Sequence, residues 1–171
     1  MADYFTPTVI QQTIPEADMT PLERLLLSYI FEVERDGDGW YFFSELGPAD
    51  MTAIGRAAVE AALASSKPDV AGTANAFVSK LLASRKDEEL QDDHLEFDFS
   101  ETSWASIFQD IVRRSSTLRY VSAVSSFTCS PMRPDGFGGA VVVITADAIL
   151  GKSTTDLLEE LIEQAVPCSD G

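Results

Sequence analysis

Histidine is almost missing from this chain: among 171 residues His94 is the only one, and there are two cysteines, Cys129 and Cys168. A Ser–His or Cys–His nucleophile pair would have to recruit that single imidazole, and no G-x-S-x-G elbow frames Ser125, Ser126 or Cys129. Two cysteines without C-x-x-C spacing make neither a disulfide framework nor a zinc site, so both read as ordinary thiols. Bases are scarce as well. Twelve Lys and Arg stand against 28 Asp and Glu, a net charge of −16. Such a balance opposes direct approach to phosphate backbones and anionic lipid heads, and favours a protein partner with a basic surface. No run of 18 apolar residues occurs, and the opening MADYFTPTVIQQ has no basic cluster. Neither a membrane span nor a signal peptide is expected, and the chain reads as cytoplasmic.

What is present is the composition of a core-forming chain, 45% apolar and 23% charged, at a length that suits a single domain. Residues 1–19, with Pro7, Pro15 and several β-branched side chains, read as an extended arm lying on the body or on a neighbouring subunit. A helix follows. Thr20 is its N-cap, Pro21 fits the first position, Glu23 completes a capping box, and Leu22, Leu25, Leu26, Tyr29 and Ile30 share one face. Phe31 to Phe43 then reads as a hairpin about Asp36-Gly37-Asp38-Gly39, and residues 48–65 read as helix. A further helix over 69–83 carries Val70, Ala74, Phe77, Val78, Leu81 and Leu82.

Residues 87–101 hold eight acids and no Lys or Arg. An acidic linker over 85–94 runs into a half-buried strand, with Leu95, Phe97 and Phe99 on one face and His94, Glu96 and Asp98 on the other. An amphipathic helix is expected over 102–114, then strands over 118–129 and 139–145. The unbroken apolar run GAVVVIT predicts a central strand covered on both faces. The last helix starts at Ser153, capped by S-T-T-D, and is expected to pack Leu157, Leu158, Leu161 and Ile162, ahead of a flexible tail at 167–171. The fold class is α+β: a roughly five-stranded, largely antiparallel sheet with about five helices.

Four patterns bear on chemistry. ERDGDGWYFFSE, residues 34–45, can be laid on a calcium loop with Asp36, Asp38 and Glu45 as ligands. Against this, Glu34 stands where the shorter Asp is wanted, Phe42 is apolar, and Gly47-Pro48 interrupt the exiting helix, so a hairpin turn is the preferred reading. Calcium is the one cofactor the sequence suggests. ADAILGKST, residues 146–154, fits a permissive phosphate-loop pattern but lacks the glycines that let backbone N–H groups close on a phosphate; Ser153 reads as a helix cap and Gly151 as the end of a turn. Arg113, Arg114 and Arg119 cluster near a helix C-terminus, where they meet its dipole. The Pro- and Gly-rich loop 130–139 is longer than a hairpin needs and presents Met132, Arg133, Asp135 and Phe137, a preferred place for a partner to bind.

DMTPLERLLL (18–27) and PDGFGGAVVVITADAILGKSTTDLLEELI (134–162) resemble a group of small bacterial proteins of no assigned function. The resemblance implies no activity, ligand or catalytic residue. The expectation is therefore a non-enzymatic acidic protein that binds another protein or a second copy of itself, in its sharpest form a nucleic-acid-mimicking inhibitor. The alternative is a cation- or small-ligand-binding protein using the Asp36/Asp38 turn or the helix start at Ser153.

Overall fold

The computed structural model describes residues 4–66, 72–84, 93–100, 103–131, 133 and 136–166. Its chain direction is set early by helix α1, Pro21–Ile30. The Thr20 hydroxyl accepts from the Glu23 N–H at 3.2 Å, and the Glu23 carboxylate accepts from the Thr20 N–H at 2.8 Å, closing the capping box. This satisfies donors that the first turn of a helix leaves orphaned. Leu22, Leu26, Leu27 and Ile30 are buried on the core side, whereas Tyr29, expected there, is exposed.

Strands β4 (Glu32–Asp36) and β5 (Gly39–Ser44) form the predicted hairpin, with Asp36 opposite Gly39 and two residues between them. Gly37 sits at φ 57° and Asp38 keeps a negative φ, the combination in which glycine is wanted at the first central position. Gly39 is required for a different reason: a Cβ there would lie 2.6 Å from the carbonyl oxygen of Ile14.

The N-terminal segment is sewn into the sheet. It contributes β1 (Tyr4–Phe5), β2 (Thr8–Ile10) and β3 (Ile14–Pro15). Strands β8 (Tyr120–Cys129), β9 (Gly138–Thr145) and β10 (Ile149–Ser153) form a C-terminal antiparallel meander. The eight-stranded sheet runs β10-β9-β8-β2-β5-β3, with β4 also on β5 and β1 on β8. Strand β2 thus joins the hairpin to the meander, and its Thr8 hydroxyl lies 2.8 Å from that of Ser125.

A separate two-stranded sheet pairs β6 (Met51–Gly55) with β7 (His94–Asp98). The expected helix over 48–65 therefore holds a five-residue strand in its first part. Ile54 pairs with Leu95 and is fully buried, and only then does α2 (Arg56–Ser65) begin. Tertiary pairing here overrides a local composition that reads as helical. Helices α3 (Thr73–Ser84) and α4 (Trp104–Arg114) complete the core, in which Phe42 meets Phe108 edge-on at 5.7 Å and Phe31 meets Trp104 at 5.5 Å. The α+β class holds, with an antiparallel sheet larger than the five strands expected. Val70, the 85–92 part of the acidic linker and the tail with Cys168 lie outside the described residues.

Two expectations of burial fail. Helix α4 covers one face of β8 and β9, the side of Val121, Ala123 and Ile144, but the other face of β9 is bare: Val141 is 47% and Val143 37% exposed. Helix α5 (Thr154–Ala165) has the predicted cap, yet none of its residues is buried.

Candidate functional site

The residues singled out for metal binding do not converge. Asp36 and Asp38 flank Gly37 at the turn, where the Thr13 hydroxyl donates to Asp36 and the Asp38 carbonyl accepts from Glu16 N–H. Glu45 lies beyond the opposite end of β5, about 20 Å along the strand at ~3.3 Å per residue, where its N–H donates to Glu32. Among the described residues no three His, Cys, Asp or Glu side chains form a group that could hold a metal. His94, Glu96 and Asp98 are exposed on the outer face of β7, with Asp98 accepting from Ser100, while Leu95 and Phe97 point inward as their alternation predicts.

The phosphate-loop pattern is a strand. Gly151 and Lys152 lie within β10, opposite Val142 and Val141, which corrects the reading of Gly151 as the end of a turn. An extended strand faces alternate amides in opposite directions, so it cannot aim consecutive N–H groups at one anion. Ser153 caps α5 through a second capping box, and its own N–H and hydroxyl both donate to Asp156 at 2.7 Å. Those bonds hold the Asp156 carboxyl below its ordinary range.

The arginines are tied inward. Arg114 bonds Glu23 at 2.5 Å, and Arg113 bonds Asp110 at 3.1 Å and the Ala146 carbonyl at 2.7 Å, while Arg119 is exposed. Burial pushes the Glu23 carboxyl up in spite of Arg114 and the Thr20 N–H. His94 and Cys129 lie on different sheets, and Cys129 is buried at the end of β8. In the 130–139 loop, Arg133 and Phe137 are exposed; Met132 and Asp135 lie outside the described residues.

One cluster escaped the sequence reading. Arg24 and Arg35 stand over the Trp40 ring at 5.7 and 5.0 Å, and both pair with Glu16, at 2.7 and 2.5 Å. Chiefly through its hydrogen bond with Arg35, the Glu16 carboxyl is held below its usual value. A cavity of about 380 Å³ adjoins this cluster, floored by Leu25, Val33, Phe42 and Ala62. Arg35 and Trp40 are direct partners in the β4–β5 hairpin, and tertiary packing brings Glu16 and Arg24 to them.

The largest departure from an ordinary surface is elsewhere. Register places Tyr120, Ser122 and Val124 of β8, Val141 and Val143 of β9, and Leu150 and Lys152 of β10 on one face of the sheet, opposite α4. Helix α5 rises on this side, tied there by the Lys152–Glu160 ion pair at 2.6 Å. At 100° per residue its Leu157, Leu158, Leu161 and Ile162 form one stripe, and Asp156, Glu159, Glu160 and Glu163 form the opposite one. Between helix and sheet opens an apolar groove of about 300 Å³, with Leu157 on one wall and Val124 and Val141 on the other. Nine apolar side chains of this face are 37–64% exposed. At roughly 60 Å² for a half-exposed aliphatic side chain they present on the order of 500 Å² of apolar surface, the upper range of the largest patch on a typical monomer.

Among the described residues no helix is long and apolar enough to cross a membrane. Neither a protein-family model, nor a curated protein, nor a solved structure matches the chain.

Proposed function

We propose that this protein acts by binding protein rather than by chemistry, and that its docking surface is the bare face of β8, β9 and β10 together with the apolar stripe of α5. The observation that carries the reading is that a helix stripe and a sheet face, both apolar and both patterned for burial, are left uncovered on either side of one groove. Peptide and protein recognition repeatedly uses a helix laid into such a groove. Acids do not dominate this face. The described acids are spread instead over β4 (Glu32, Glu34, Asp36), β7 (Glu96, Asp98), α5 and several other elements, rather than set in the single row a nucleic-acid mimic needs.

The test is positional photo-crosslinking in cells. A benzoylphenylalanine placed at Leu161 or Val143 is expected to give the same discrete adduct. The same group at Glu159, on the acidic side of α5, or at Leu46, exposed elsewhere, is expected to give none. Equal labelling from all four positions, or none from Leu161 and Val143, would contradict the reading.

A further inference from the structure

A docking face needs an occupant, and the identity of that occupant rests on the bare face being a docking surface. We infer that the occupant is a second copy of the chain, with α5 of each copy seated in the groove between α5 and the bare sheet face of the other.

The first support is self-complementarity. A two-layer fold needs each apolar sheet face covered by something and each amphipathic helix laid against something. One chain here carries a sheet face without a helix and a helix without a sheet. In a two-fold arrangement each copy supplies what the other lacks, and the contact closes on itself.

The second support is that the helix cannot cover its own sheet. Strand β10 ends at Ser153 and α5 begins at Thr154, with no linker between them. The Ser153–Asp156 capping box, the Lys152–Glu160 ion pair and the bond from the Gly139 N–H to the Thr154 hydroxyl at 3.1 Å all hold the exit direction. Folding α5 down would break all three, so among the described residues nothing covers this face.

The third is size and charge. Interfaces are about 57–65% apolar, so an apolar patch on the order of 500 Å² corresponds to roughly 800–900 Å² per partner, the amount a standard interface needs. On β8, β9 and β10 the charged side chain that register places on the bare face is Lys152, paired with Glu160 of α5, and Glu32 and Glu34 of β4 lie farther across the same face of the sheet.

The experiment uses the full chain and two variants: a helix variant, L158E/L161E, and a groove variant, V124E/V141E. All four positions are half-exposed in the single chain, so each variant keeps its fold by circular dichroism. Light scattering coupled to size exclusion is expected to give twice the chain mass for the wild type and the chain mass for each variant. A wild type that stays monomeric on the order of 100 μM, where a Kd of 1 μM leaves little monomer, would overturn the inference. So would variants that remain dimeric. The wider reading is judged separately by the crosslinks: a monomer whose Leu161 and Val143 adducts both contain the same other protein sinks the second copy and keeps the docking face, and a monomer without adducts sinks both.

Discussion

Arg114, at the last turn of α4, reaches the Glu23 carboxylate of the α1 capping box at 2.5 Å, and that carboxylate is 2% exposed. One contact therefore joins a helix cap, a helix end and the core. Arg114→Ala strands Glu23 as an unpaired buried charge, a change that costs about 3 kcal/mol or more.

The pH dependence of that loss has a definite sign. Because burial raises the folded Glu23 pKa, the protonated form is favoured in the folded state, and stability from this group falls as pH rises from the ordinary carboxylate value through the folded one. Removing Arg114 widens that window. Urea unfolding of wild type and Arg114→Ala is expected to show a larger difference at pH 7 than at pH 5, and an equal difference at both would contradict the assignment.

The α5 cap behaves oppositely. The Ser153 N–H and hydroxyl lower the folded Asp156 pKa, so the cap's contribution is present above the unfolded carboxylate value and lost as pH falls through the folded one. Ser153→Ala removes the hydroxyl and is expected to weaken the helix start by ~1 kcal/mol. Protection factors in the first turn of α5 should fall about fivefold, and those of the wild type should fall again in acid once the slower intrinsic exchange is divided out; protection unchanged in the variant would count against the capping role.

Core and bare face should respond differently to truncation. Phe42→Ala opens a cavity beside Phe31 and Phe108 and is expected to lower stability by about 3–5 kcal/mol. Leu158→Ala, on a side chain 57% exposed, is expected to change the unfolding free energy of the isolated chain by less than ~0.5 kcal/mol. A dilute-solution urea titration of the two variants decides whether α5 is packed within its own chain.

Calcium should leave the melting temperature unmoved, and EDTA likewise. Asp36 is held by Thr13, and Glu45 is a strand's length from the turn. A calcium-dependent rise abolished by Asp38→Ala would restore the loop 34–45 as a site.

Much of this architecture is written locally. T-P-L-E encodes the α1 cap, D-G-D-G the hairpin, and Leu95-Glu96-Phe97-Asp98 the half-buried strand, because each depends on neighbours within a few residues. Strand β6 was illegible because only its pairing with β7 makes Met51–Gly55 extended. In the Arg24–Trp40–Arg35 cluster the Arg35–Trp40 pairing follows from the hairpin register, and only the approach of Arg24 from α1 depends on tertiary packing. The run GAVVVIT and the stripe of α5 are a different case. Both are patterned for burial, and among the described residues one face of the strand and the stripe of the helix stay exposed.

The most direct measurement is sedimentation equilibrium of the full chain at low and high salt. Two copies, each at −16, repel through their acids while joining through apolar surface, so screening should strengthen the association. The account predicts a species of twice the 18.6 kDa chain mass whose dissociation constant falls as salt rises. A mass of 18.6 kDa at every concentration and salt, or a dimer that salt disperses, would contradict it.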